Sequence, residues 1–288
     1  MKKILYIVVY FGELPQIFPC WMKSCEYNHT INWLLITDQD IHTVIPSNIK
    51  YIKKKFENFV SEVKLQFGEN VCIAQPYRIC DFRPLFGILF ASEIKGYDYW
   101  GFCDVDMIFG DIRSFLSDEI LNKYDRIGFS GHSTLIRNSP LMNNLFKKEK
   151  NLPEILSGKS KHHYFFDEQG LTGLCLEEGI KTFSEIIFAD IDPYKDFFYL
   201  NFYGHDFVHK DKKKVFEWKN GQLKCFSSVN GTVENYDFMY VHFLRRTIYV
   251  KSYVPGKAFV IIPNMIISDG YDVNDAEWIE SNQYIDKL

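Results

Sequence analysis

The sequence predicts an α/β fold: a Rossmann-type mixed sheet flanked by helices, with a more antiparallel C-terminal half. Three observations predict it. Residues 4–10 and 33–37 are continuous runs of apolar β-formers, which belong to strands covered on both faces. Segments of helical periodicity alternate with these runs. From about Val215 the texture shifts to closely spaced strand-like runs separated by Asn-Gly pairs. With 288 residues, 47% hydrophobic and 24% charged, the chain can bury a large core. No repeat or linker interrupts it, so residues 1–288 are read as one domain, with a first half to residue 115 and a second half over 116–288.

Each element follows from local chemistry. The first strand run stops at Gly12 and Pro15, and residues 19–27 are expected to form a covering helix. The second strand run ends at Asp38 and Asp40. Phe56, Phe59, Val60, Val63 and Phe67 share one helical face, closed by Gly68. Pro84 suits a helix first turn, so residues 85–95 are expected as a mostly apolar helix stopped by Gly96. Residues 99–103 form a short apolar strand that delivers Asp104 and Asp106. A strand around Ile127 and a helix over residues 140–148 continue the pattern. In the C-terminal part, residues 215–218, 222–226 and 236–243 are strand-like, and Asn220-Gly221 and Asn230-Gly231 mark hairpin turns.

Composition excludes several classes. A net charge of −4 argues against nucleic acid as a partner. The basic run over 210–214 is broken by Asp211 and reads as a solvated turn, compatible with peripheral membrane association. Cys20, Cys25, Cys72, Cys80, Cys103, Cys175 and Cys225 are scattered singles without a C-x-x-C pair, which points to reduced thiols. The N-terminal apolar run is too short to span a bilayer and lacks a small-residue cleavage site. The expected location is therefore the cytoplasm, including the inner face of the plasma membrane.

The chemistry centres on Asp104-Val105-Asp106. Residues two apart on a strand point to the same side, so both carboxylates can converge on one cation where the strand ends. Two carboxylates and the oxygens of a diphosphate suit a hard ion such as Mn²⁺ or Mg²⁺. Tyr99 to Cys103 before the pair and Met107-Ile108 after it are apolar, and acids buried between such flanks need a counter-charge. A turn with exposed acids is the alternative.

This D-x-D at the end of a core strand resembles the GT-A class of glycosyltransferases. The match extends over Cys80-Asp81-Phe82-Arg83-Pro84, the apolar segment after it, and Gly96 to Gly101, and covers mainly the first two thirds of the chain. It is similar to bacterial enzymes that build capsular and other surface polysaccharides. The resemblance implies a nucleotide-binding first half and an acceptor-binding second half. It further implies a nucleotide sugar, with a UDP-sugar first, as donor, a divalent metal, and a growing, lipid-linked glycan as acceptor. Asp104, Val105, Asp81 and Arg83 would face the donor, and Arg83 near a helix start suits a diphosphate, with a surface salt bridge as its alternative. Tyr10 or Phe11 would stack on the base, and Asp38 would sit beside it.

Three further features fit that reading. Asp167 and Glu168 follow Phe165-Phe166 and resemble an acceptor-side acid motif, with Asp167 the first choice for general base if the reaction inverts. Acids in the first turn of a helix are the plainer account of both. His242, in an apolar strand-like run, resembles the late metal-ligand His of several such families, or is a satisfied core residue. Arg245 and Arg246 could steady the leaving diphosphate or equally sit on an exposed edge, and His132, His162 and His163 are expected near the sugar or acceptor. Two competing functions are a D-x-D phosphohydrolase and a non-catalytic glycan-binding protein on the same fold.

Overall fold

A computed structural model describes residues 1–158, 163–200, 212–250 and 256–283. His162, Lys210 and Asp211 lie outside the described residues. The chain divides into two compact units, one of Met1–Leu14, His29–Asp104 and Leu116–Glu185, the other of Pro15–Asn28, Val105–Phe115 and Ile186–Leu288.

The first unit is built on a seven-stranded sheet, in the order Ile49–Lys53, Ile31–Thr37, Ile4–Val9, Tyr99–Cys103, Ser133–Arg137, Arg126–Ser130 and Thr182–Phe183. The first four strands run parallel, and Ser133–Arg137 turns antiparallel against Tyr99–Cys103. Ile4–Val9 is central, which explains its unbroken apolar run: both faces are covered. Because the first four strands are parallel, their C-terminal ends share one sheet edge. Gly12, Asp38 and Asp104 all follow such ends, where open α/β sheets bind ligands.

Helix Phe56–Phe67 buries Phe59 and Val63 and ends at Gly68, whose φ of 103° only glycine adopts readily. The helix expected over 85–95 does not form as such. Pro76–Leu85 is a 3₁₀ segment, Phe86–Leu89 is a single α-turn, and separate turns follow. Phe86, Phe90 and Ile94 keep the i, i+4, i+8 spacing of a helix face and are buried in one cluster, but the backbone bonds there mix four-residue and three-residue turns and do not form a continuous helix. Residues 140–148 likewise split, into Pro140–Asn143 and a 3₁₀ turn at Leu145–Lys148.

The second unit holds helix Phe18–Tyr27 and two sheets. The larger sheet is ordered Thr232–Asp237, Gln222–Val229, Lys214–Lys219, Ala258–Ile262, Met265–Ile267 and Tyr249–Val250, antiparallel except at its last pair. Both Asn-Gly turns adopt positive φ at each residue, as tight hairpins require. The smaller sheet pairs Met107–Phe109 antiparallel, and Ala189–Asp190 parallel, with Tyr240–His242.

Residues 236–243 are thus not one strand. Phe238 donates to the Leu223 carbonyl and Met239 to that of Ile187, passing the chain from one sheet to the other. Phe216, Trp218, Phe243 and Phe259 form this unit's core, and the Trp218 indole N–H donates to the Phe109 carbonyl at 2.9 Å. All seven cysteines are free thiols. Among the described residues, no helix is long and apolar enough to cross a membrane.

Candidate functional site

Among the described residues, acids gather around Arg83 in the first unit and around His242 in the second. In the first, Asp104 leaves the end of Tyr99–Cys103 and its N–H donates to the His132 carbonyl at 3.0 Å. Arg83 is the hub. Its guanidinium donates to Asp104, to Asp167 Oδ2 at 3.0 Å and to the Gly131 carbonyl at 2.6 Å. Burial disfavours its charge, but Asp104 and Asp167 outweigh this and hold the guanidinium firmly cationic.

Gly131 is where the two acids of residues 167 and 168 close in. Its N–H donates to Glu168 Oε1 at 3.0 Å. A Cβ there would lie 2.8 Å from that oxygen and 2.9 Å from Asp167 Oδ2, so no larger residue fits undisturbed. Asp167 is 2% exposed, and its Oδ1 has no hydrogen-bond partner among the described residues. Burial, reinforced by Glu168 and opposed by Arg83, pushes its carboxyl up to about 7. Both acids lie in a π-turn, Phe166–Gly170, entered through Phe165 at a φ of 53°. A bulky residue in that region is strained, and such strain gathers at functional sites.

Asp81 faces a different partner set. Fully buried, it accepts from the Tyr164 and Phe166 N–H groups at 3.1 and 3.2 Å and pairs with Arg78 at 2.9 Å and His163 at 3.2 Å. It clamps the chain as it enters the Asp167 turn. At the sheet edge, Asp38 Oδ1 accepts the Gly12 N–H at 3.0 Å, joining the ends of the first two strands. Phe11 is packed in the core against Phe56 and Phe59, whereas Tyr10 is partly exposed.

In the second unit, Val105 is buried and Asp106 leads into Met107–Phe109. Asp106 Oδ1 lies 3.6 Å from His242 Nε2, and Oδ2 accepts the Arg245 N–H at 2.8 Å. That bond depends on Leu244 and Arg245, consecutive non-glycine residues at φ 43° and 63°. On the other side of the ring, His242 Nδ1 lies 2.7 Å from Asp190 Oδ1. Burial would discharge the imidazole, but Asp106 and then Asp190 raise it to about 10. Burial likewise opposes the Asp106 charge, yet His242 and the Arg245 N–H hold that carboxyl well below the usual range. The Arg246 guanidinium is engaged with the carbonyls of Pro263, Asp192 and Lys195.

Asp190 did not stand out in the sequence. The available signal is a single acid inside the apolar run Ile186-Ile187-Phe188-Ala189-Asp190-Ile191, since a buried acid demands a partner.

Comparison with known proteins adds a family and a set of similar structures. The model of a family described as a family of unknown function, DUF6625, matches residues 6–269. No curated protein matches the sequence. Among solved structures, a galactosyltransferase LgtC in complex with donor and acceptor sugar analogs is similar at 14% identity, over 66% of this chain and 75% of that one, with a TM-score of 0.38. An active-site mutant of LgtC is similar at 14% identity over 84% and 87%, with a TM-score of 0.44. The apo form of the glycosyltransferase GlyE of Streptococcus pneumoniae TIGR4 is similar at 14% identity over 65% of this chain, with a TM-score of 0.37. The chain spans about half, 46%, of that GlyE chain. Likeness at this level leaves the chemistry to the side chains.

Proposed function

We propose that this chain, which belongs to the DUF6625 family, is a metal-dependent glycosyltransferase that moves a hexose from a nucleotide sugar, a UDP-sugar first, to a glycan acceptor. The observation that carries the reading is the pairing of Asp106 with His242. Two ligand atoms on one divalent ion, each at about 2.1 Å, lie roughly 3.0 to 3.5 Å apart, and the 3.6 Å between Asp106 Oδ1 and His242 Nε2 is close to that spacing. A carboxylate oxygen with an imidazole nitrogen is a donor set that Mn²⁺ accepts. Asp104, two residues earlier in the chain, is added from the D-x-D motif. A bound Mn²⁺ or Mg²⁺ supplies Lewis-acid neutralisation of a diphosphate leaving group.

The remaining roles belong to the chain's own residues. Arg83 places a permanent cation beside Asp104. Tyr10 is the better placed of the two aromatic candidates for the base, since Phe11 is consumed by the core. Asp167, with its carboxyl near 7, is poised to exchange a proton at neutral pH. In an inverting reaction it takes the proton of the acceptor hydroxyl. The acceptor oxygen then bonds to the anomeric carbon, and the sugar–phosphate bond breaks with its electron pair leaving on the nucleotide. In a retaining reaction Asp167 and Glu168 position the acceptor instead. A lipid-linked acceptor at the inner membrane face and a role in surface polysaccharide synthesis complete the proposal.

The test is release of UDP from a panel of UDP-sugars, with and without Mn²⁺. Mn²⁺-dependent release from one sugar is the expected result. No release from any of them, together with no metal-dependent UDP binding, would overturn the UDP-sugar reading.

A further inference from the structure

We infer that Asp190 is a positioning residue: it holds His242 Nδ1 so that Nε2 is the nitrogen presented to the metal ion. The inference rests on the metal-dependent reading above and assigns a task to a residue outside the D-x-D motif.

The arrangement begins in the backbone. Ala189–Asp190 and Tyr240–His242 are parallel strands in which His242 and Asp190 are register partners, and the Ile191 N–H donates to the His242 carbonyl at 3.0 Å. Neighbouring strands lie about 4.8 Å apart, so two side chains on the same face of such a pair are forced together. The contact is therefore set by the ladder and not by the chance meeting of long flexible groups.

Both side chains are buried, at 6% and 3% exposure, and meet at 2.7 Å, within the range of a charge-assisted bond. A carboxylate only accepts, so Nδ1 is the donor. With Nδ1 engaged, rotation of the imidazole about its bond to Cβ is fixed. The opposite nitrogen then faces Asp106 Oδ1, while Oδ2 of the same carboxylate is engaged by the Arg245 N–H. A histidine that ligates a metal characteristically donates its other N–H to a carboxylate, which sets its orientation and raises its basicity as a ligand. A buried acid-histidine pair of purely structural value would not require Nε2 to face a second carboxylate.

The experiment uses the full chain and Mn²⁺ alone, with affinity read by calorimetry and by the loss of the free Mn²⁺ paramagnetic resonance signal. The proteins are wild type, Asp190→Ala, Asp190→Asn, His242→Ala and the Asp190→Ala/His242→Ala double variant. Asp190→Ala should weaken Mn²⁺ binding about 10- to 100-fold. Asp190→Asn, whose amide oxygen still accepts from Nδ1, should retain part of that affinity, with a loss of at least about threefold. In the His242→Ala background, Asp190→Ala should add no further loss, because the carboxylate acts only through the ring.

Wild-type affinity in Asp190→Ala, or an equal loss with and without His242, would overturn the inference and leave the metal site standing. If Asp190→Ala fails to fold, Asp190→Asn decides, and a loss below about threefold counts against the inference. Absence of Mn²⁺ binding in the wild type would instead overturn the metal-dependent reading itself, and the inference with it.

Discussion

The acids of the two units are balanced by cations of different kinds. In the first unit Asp104 and Asp167 share Arg83, a group that stays charged at any working pH. In the second unit Asp106 and Asp190 flank His242, which can give up a proton and ligate a metal. The D-x-D motif is thus divided, its first acid neutralised by a permanent charge and its second by an exchangeable one. A fixed cation beside a carboxylate suits anion binding and orientation, while an imidazole beside a carboxylate suits a metal ion. Asp104 and Asp106 are held by different protein partners, even though both are proposed to face one metal ion.

Substitutions can break this contrast, beginning with the largest effect. Asp106→Asn keeps the shape but weakens the ligand, and should lower Mn²⁺-dependent UDP release about 100-fold or more. A loss under about threefold, read from initial rates, would remove Asp106 from the metal site. Arg83→Met leaves a buried carboxylate without its cation and should destabilise the fold by about 3–5 kcal/mol in urea unfolding. Unchanged stability would mean that the first cluster does not depend on a fixed charge.

Gly131→Ala sharpens the contrast by crowding Asp167 and Glu168. It should cost about 1–3 kcal/mol, read from the same unfolding curves, and leave Mn²⁺ affinity unchanged. A weakened affinity would show that crowding at Asp167 is passed through Arg83 to Asp104.

The last effect is a slope with pH. Asp167 is raised from its ordinary 3.8 to about 7 on folding, so between those values the folded chain binds more protons than the unfolded one. Stability contributed by the neutral acid is full below about 4 and is lost as pH rises toward about 7, at no more than about 1.4 kcal/mol per pH unit. Asp167→Asn should flatten that part of the profile, measured by unfolding at about pH 5 and pH 8. An unchanged slope would show that Asp167 is ionised throughout.

What the sequence revealed follows the physics of each element. Ile4–Val9 and Ile31–Thr37 were legible because central parallel strands require unbroken apolar runs. The Asn-Gly hairpins were legible because few other pairs accept positive φ twice. Residues 85–95 were not, since a segment can be apolar and buried while held by successive turns, and composition does not separate that from a helix. The carboxylates of the D-x-D stood out through their apolar flanks. Asp190 did not, because its meaning comes from strand register with His242, 52 positions away. Asp81 was singled out by resemblance alone, while its bonds to the Tyr164 and Phe166 N–H groups depend on the fold.

The most direct test of the central claim is UDP binding by calorimetry in the presence and absence of Mn²⁺, on wild type and Asp106→Asn. Mn²⁺ should tighten UDP binding to the wild type and have no such effect on the variant. Equal binding with and without Mn²⁺ in the wild type, or equal tightening in both proteins, would contradict the assignment of Asp106 to a metal site.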